Sequence, residues 1–234
     1  MTEARAVIVS HGQPGDPVPQ QRAIEDLAAA VARNDPGCEV RGATLAMPGA
    51  LAETCEPDSL IYPMFMAEGW FTRTELPRRL DRAGAAGARV LPPFGADPAL
   101  PALIVRIALA AAADEGWTPS ETTLLLSAHG SQRSPASFTI TTAIAAQIAP
   151  HFARVVTGFV EQAPWLADAA RDLDRAVHLP FFALRAEHVT DDLPRALDQA
   201  GFTGPRLDPI GLAAEVPALI AAAIRSARSD GGAK

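Results

Sequence analysis

The feature that most constrains this chain is an internal repeat. The sequence Ser10-His11-Gly12 follows a run of aliphatic residues, and a similar run leads to His129-Gly130, 118 residues further along. Further landmarks recur in the same order at nearly the same spacing: Pro63 with Pro180, Leu76-Pro77 with Leu193-Pro194, and 101–104 with 217–220. Ordered recurrence at one spacing is the signature of duplicated structural units. The sequence therefore predicts two homologous halves, residues 1–117 and 118–234.

Each half alternates short aliphatic runs with alanine-rich stretches of helical pattern. The predicted strands are 5–10, 39–45, 59–65 and 88–92 in the first half, and 122–127, 154–160, 176–182 and 205–207 in the second. Helical patterns between them include 20–33, 74–85, 135–149 and 191–200. Strands that alternate with helices form right-handed crossovers in a parallel sheet. We therefore predict an α/β protein with two tandem, doubly wound domains and small parallel sheets.

Composition and charge narrow the classes of partner. The chain is 48% hydrophobic and 20% charged, which is typical of a globular protein, and its net charge of −7 argues against nucleic-acid binding. Its longest apolar stretches are too short to cross a bilayer, and no secretory signal is recognisable. Cys38 and Cys55 lack CxxC spacing and are predicted to be free thiols. A cytoplasmic protein, either a monomer or a homodimer, is expected.

Candidate site residues follow the ends of predicted strands. His11 and His129 each follow the first strand of their half, Glu161 follows the second strand of the second half, and His188 comes after the third. Ligands of parallel sheets bind beyond the carboxyl ends of the strands. We therefore expect the last three side chains to converge at one edge of the second sheet.

Two histidines and a carboxylate at one sheet edge suit a divalent transition metal. Neutral imidazole binds cobalt, iron and zinc, and a carboxylate can complete the ligand set or accept protons. His151 and His178 fit no such position and are interpreted as ordinary surface or core residues.

Three motifs extend the argument to a family. Ser127 to Ser131, Gly158 to Leu166, and Leu179 to Phe182 followed by 187–194 resemble the signature of the class II chelatases, most closely the two-domain sirohydrochlorin cobalt- and iron-chelatases. The resemblance implies ATP-independent insertion of Co²⁺ or Fe²⁺ into sirohydrochlorin, in cobalamin or sirohaem biosynthesis. It also implies that His129 and His188 bind the ion while Glu161 assists metal handling or proton removal. The absence of a phosphate-binding Gly-x-x-x-x-Gly-Lys loop agrees with this.

The first half departs from the motifs. Repeat alignment places Phe71 where His188 stands and Leu45 where Glu161 stands, so only His11 remains of the three. The active site is therefore predicted in the second half. Whether Trp70 and Phe71 form an apolar wall against the ring or serve packing is left open.

A substrate with many carboxylates needs local positive charge. Arg133 and Arg185 lie in the loops beside His129 and His188, and with Ser131 and His11 they form the predicted substrate-binding set. Arg73 occupies the corresponding loop of the first half. No permanently bound cofactor is expected, since the metal is itself a substrate.

Three other functions can be compared with these residues. A non-catalytic carrier of tetrapyrrole or metal remains an alternative, because the first half has lost polar site residues. A chelatase for another ring, such as protoporphyrin, also remains possible. A histidine phosphatase is excluded because it needs an arginine beside the nucleophile, where Ser10 and Ala128 stand. The sequence leaves open the physiological metal.

Overall fold

The computed structural model describes residues 4–185 and 188–231. The strands are β1 Ala4–Ser10, β2 Cys38–Thr44, β3 Leu60–Pro63, β4 Arg89–Val90, β5 Thr123–Ala128, β6 Arg154–Phe159 and β7 Ala176–Pro180. The α-helices are α1 Pro17–Asn34, α2 Ala50–Thr54, α3 Leu76–Arg82, α4 Leu100–Asp114, α5 Ala136–Ile148, α6 Leu166–Ala169, α7 Leu193–Gln199 and α8 Val216–Gly231. Short 3₁₀ turns span Phe94–Ala96, Pro119–Glu121, Ala149–His151 and Ile210–Leu212.

Two small parallel sheets confirm the predicted fold class. Their strand orders are β2-β1-β3-β4 and β6-β5-β7, so the first strand of each half is central. All six residues of β5 are buried, as expected of a strand covered on both faces. The predicted strand 205–207 is reduced to one bridge, between Arg206 and His178, because Pro205 has no N–H to extend the ladder.

The helices predicted at 74–85 and 191–200 each have an unexpected beginning. A π-helical turn, Phe71–Glu75 in the first half and His188–Asp192 in the second, precedes α3 and α7 respectively. Pro77 and Pro194 occupy the second position of those helices. Because proline lacks an N–H and crowds the carbonyl four residues back, the preceding turn opens into the wider π form.

The compact units differ from the two sequence halves. One unit contains Met1–Asp97 with Ala214–Lys234, and the other contains Pro98–Ala213. The last helix of the second half, α8, packs on α1, whereas the last helix of the first half, α4, packs on α5 and β7. The predicted division at residue 117 describes the repeat, while the compact units have exchanged their last helices.

Helix α8 is fixed within the first unit by polar contacts as well as by apolar burial. Arg225 donates to the carbonyl of Asn34 at 2.9 Å, and Arg228 pairs with Asp35 at 3.1 Å. Val216, Ile220 and Ile224 are fully buried. No helix in the described part of the chain is long and apolar enough to cross a membrane.

The residues that sequence analysis set aside lie where expected. His151 is exposed, and both cysteines are free and buried, which raises the pKa of each thiol. His178 lies in the core of the second unit, where its Nε2 is 2.8 Å from Ser127 Oγ. Among the described residues its Nδ1 has no hydrogen-bond partner. Burial, assisted by the nearby Arg206, lowers the pKa of His178 to about 3.

His178 is therefore expected to make the protein sensitive to acid. Its pKa in the unfolded chain is about 6.5, so below that pH the unfolded chain takes up a proton that the folded chain refuses. Each pH unit between about 6.5 and 3 then costs about 1.4 kcal/mol of stability, and nothing is lost above pH 7. Urea unfolding at pH 7.5 and 5.0 should show that the free energy of unfolding falls less with the change in pH for His178→Gln than for the wild type. The exposed His151→Gln should behave like the wild type, and equal losses in all three would contradict the prediction.

Candidate functional site

His129 lies directly after β5, and the position that follows it can be occupied only by glycine. Gly130 has a φ of +74°, and a Cβ there would come within 2.7 Å of Gln162 Cγ and 3.0 Å of Phe159 Cβ. The His129 Nδ1 is 2.7 Å from the Gly130 carbonyl oxygen, which can only accept a hydrogen bond. Nδ1 therefore carries the proton, and in the neutral ring the lone pair is on Nε2.

Glu161 is brought beside His129 by the neighbouring strand. Beyond the end of the β5–β6 ladder, Val160 N donates to the Ala128 carbonyl at 3.1 Å and Glu161 N donates to the His129 carbonyl at 2.9 Å. These bonds hold the two side chains at the same sheet edge, with Glu161 Oε2 3.7 Å from His129 Nδ1. The side chains are 47% and 42% exposed respectively, so this pair faces solvent from the carboxyl edge of the sheet.

For His188, the third predicted ligand, the structure describes only the backbone. His188 begins the π-helical turn before α7, in the second unit, which also contains His129 and Glu161. Its side chain and the neighbouring Glu187 lie outside the described residues. Among the side chains that are described, no group of three or more His, Cys, Asp and Glu residues is placed to hold a metal. The structure brings His129 and Glu161 together, and the convergence of His188 stays a prediction.

Gln162 organises the loop after His129, a role that sequence analysis missed. Its Oε1 accepts a hydrogen bond from Ser131 N at 2.6 Å, and Ser131 Oγ in turn accepts one from Arg133 N at 3.1 Å. Gly130 N donates to Ser137 Oγ at 3.2 Å. Adjacency to Glu161 was the only sequence signal for Gln162, because a side-chain bond to the backbone has no pattern of its own.

The two predicted substrate-binding arginines differ in their surroundings. Arg133 is exposed in the loop after His129, two residues after Ser131. Arg185 is paired with Asp208, so its charge is already offset within the second unit. Arg133 is therefore the stronger candidate for binding a substrate carboxylate.

Aromatic residues border the His129 loop. Phe138 is 37% exposed, and its ring centroid lies 5.4 Å from that of Phe159, whose Cβ approaches Gly130. Trp165, at the end of the loop that Glu161 begins, is 44% exposed. The second unit therefore offers apolar surface next to its polar pair.

The first unit repeats the histidine geometry without the other predicted metal-site groups. His11 Nδ1 is 2.7 Å from the Gly12 carbonyl oxygen, as in the second half. The Phe71 ring meets His11 edge-on, with centroids 4.5 Å apart, and Leu45 is buried in the core. Trp70 contacts Phe71 but is 60% exposed, so core packing does not account for Trp70.

The remaining candidate of the first half is Arg73. Its guanidinium donates to Glu68 Oε2 at 2.7 Å. Like Arg185, it is already paired, which weakens the prediction that it serves a substrate carboxylate.

Comparisons with known proteins identify the family. The family model described as CbiX matches residues 123–227, the part that contains His129, Glu161 and His188. A solved structure described as CbiX, the terminal enzyme for biosynthesis of siroheme in denitrifying bacteria, is 60% identical, with a TM-score of 0.91, over 95% of this chain and 99% of its own. A search among curated proteins found no match.

More distant structures share the fold. DR2241 from Deinococcus radiodurans, a multi-domain protein with structural similarity to chelatases, is 24% identical over 94% of this chain and 54% of its own, with a TM-score of 0.68. The sirohydrochlorin chelatase SirB from Bacillus subtilis subspecies spizizenii, in complex with cobalt, is 14% identical over 98% of both chains, with a TM-score of 0.63. The high identity over nearly the whole of the first structure decides the family: this chain belongs to the CbiX family of class II metal chelatases.

Proposed function

We propose that this protein inserts Fe²⁺ or Co²⁺ into sirohydrochlorin. The observation that carries the proposal is the 60% identity, over nearly the full length of both chains, to the terminal enzyme for biosynthesis of siroheme in denitrifying bacteria. Since sirohaem is the iron complex of this ring, the similarity favours Fe²⁺ and sirohaem biosynthesis over Co²⁺ and cobalamin.

His129 and His188 are the proposed metal-binding residues. The Nδ1 proton of His129 is held by the Gly130 carbonyl, so the lone pair proposed to bind the ion is that of Nε2. Imidazole nitrogens bind Fe²⁺ and Co²⁺ well. Because the site has only a few protein ligands, coordination positions of the ion stay open for the pyrrole nitrogens. The ion is a substrate and leaves in the product, and we propose no permanently bound cofactor.

Glu161 is proposed to receive protons during insertion. Two pyrrole N–H groups must lose their protons when the metal enters, and a carboxylate next to the metal-binding imidazole is placed to accept them. Its Oε2 is 3.7 Å from His129 Nδ1, so the negative charge of Glu161 also favours the approach of a cation. Its exposure lets the proton pass on to solvent.

Apolar and cationic groups around the pair suit a large ring with carboxylate side chains. Phe138 provides apolar surface beside the His129 loop, and Trp165 provides it beside Glu161. Arg133 and Ser131 lie in the loop after His129, where their guanidinium and hydroxyl groups can bind carboxylates. In the first half, His11 presents the same ring geometry and is a candidate for substrate contact alone.

Metal insertion by the purified wild-type protein tests the function directly. Protein, sirohydrochlorin and either Fe²⁺ or Co²⁺ would be mixed without oxygen, and the absorption of the ring followed beside reactions that contain heat-denatured protein. We expect catalysed rates well above the spontaneous rate with at least one metal, and the higher turnover with Fe²⁺. A protein that binds the ring but accelerates insertion of neither metal would instead support the carrier alternative.

A further inference from the structure

The first unit contains a cavity of about 510 Å³ that the proposed chemistry does not use. It lies between the end of β2, helix α2 and helix α3, and is lined by apolar groups of Leu45, Met47, Leu51 and Ala52. Cavities of a few hundred Å³ with mostly apolar walls are the usual binding sites of small molecules. Its described lining residues include neither His129 nor Glu161.

The same place in the second unit holds a smaller and more acidic cavity. It measures about 330 Å³, and its walls include Trp165 and Asp168. The repeat places Gly49 opposite Trp165 and Ala52 opposite Asp168. Because Gly49 and Ala52 lack the indole and the carboxylate, the cavity of the first unit is wider. Its described lining residues include no carboxylate.

Two arginines of α3 give this cavity its charge. Arg79 and Arg82 stand where the second half has Ala196 and Gln199. Arg79 is held in place, because its Nε donates to Glu75 Oε1 at 2.6 Å and its Nη1 donates to the Leu45 carbonyl. Arg82 is exposed, and within the described residues no carboxylate pairs with its guanidinium. The described lining of the cavity in the first unit therefore has two arginines and no carboxylate, whereas that in the second unit has Arg195 with Asp168 and Asp192.

We propose that this cavity binds a small carboxylate with an apolar body. The apolar walls would take the hydrocarbon or aryl part, and Arg82, supported by Arg79, would pair with the carboxylate at the rim. The cavity belongs to the first unit, whereas His129 and Glu161 belong to the second. Binding to this cavity can be measured without metal or tetrapyrrole, so its outcome is distinguishable from that of the proposed metal insertion.

Calorimetric titration of the full-length protein tests this proposal. The probes are decanoate and 4-phenylbutyrate, which share the carboxylate but differ in an alkyl or aryl body, each beside the matching alcohol. The wild type should bind at least one acid saturably in the submillimolar range, and its alcohol about tenfold more weakly.

Variants that restore the residues of the second half sharpen the test. Arg82→Gln should weaken binding about tenfold, and Ala52→Asp, at an exposed helix position, should abolish it by adding a repelling charge. Arg22→Gln, an exposed position on α1, makes the same charge change away from the cavity and should leave affinity unchanged. The proposal is overturned if neither acid saturates by 10 mM, if acid and alcohol bind equally, or if Arg82→Gln and Arg22→Gln have the same effect.

Discussion

Replacement of His129 by alanine is expected to lower the rate of metal insertion by about 100-fold or more, close to the spontaneous rate. The change removes the Nε2 lone pair that we propose binds the ion, on a ring whose Nδ1 is held by the Gly130 carbonyl. It also removes the Nδ1–H group that lies 3.7 Å from Glu161 Oε2. Affinity for Co²⁺, measured from its visible absorption without the tetrapyrrole, should fall in parallel.

The repeat supplies a matched control in His11→Ala. His11 follows its strand in the same way and bonds to the Gly12 carbonyl at the same 2.7 Å, so any general cost of losing this bond is shared. In place of a carboxylate and a second histidine, however, its half has buried Leu45 and a Phe71 ring that meets it edge-on. We therefore expect His11→Ala to keep kcat within a few-fold and to change mainly KM. Equal losses of kcat in both variants would refute an active site confined to the second half.

The parts of the fold that sequence predicts are those that follow from local pattern. Each parallel strand needs an apolar run that ends at a turn, and this pattern can be recognised locally. Of the eight predicted strands, seven are present as strands and one is reduced to a single bridge. Because parallel strands end at one edge, the positions of His129 and Glu161 after neighbouring strands were enough to bring them together. The repeat alignment of Phe71 with His188 also has a structural counterpart, since each residue begins a π-helical turn.

What sequence could not predict depends on partners far along the chain. An alanine-rich apolar helix fits either sheet, so nothing local assigned α4 to the second unit or α8 to the first. The charge of Arg185 is offset by Asp208, which approaches only in the folded chain. The depressed pKa of His178 likewise arises from burial rather than from its sequence neighbours.

A large effect on stability is expected at two glycines related by the repeat, Gly95 and Gly211. Their N–H groups donate to the carbonyls of Phe65 and Phe182, both at 3.0 Å. A Cβ at Gly95 would overlap the carbonyl oxygen of Met66, and one at Gly211 that of Ala183. Because backbone rather than a flexible side chain must move, each change to alanine should cost about 2–3 kcal/mol, which lowers the thermal midpoint by roughly 5–10 °C.

The two glycine variants should differ in function although they resemble each other in stability. Ala183 begins the segment that leads to His188, so Gly211→Ala should displace the predicted metal ligand and lower insertion activity even well below the midpoint. Gly95→Ala disturbs the corresponding segment of the half that lacks the ligands, and folded protein should keep most of its activity. Gly15→Ala is the control for the loss of a glycine, because a Cβ at Gly15 would meet no atom within 4 Å. It should leave both the thermal midpoint and the insertion activity near those of the wild type. If Gly95→Ala lost as much activity as Gly211→Ala at matched stability, both halves would have to contribute to the reaction.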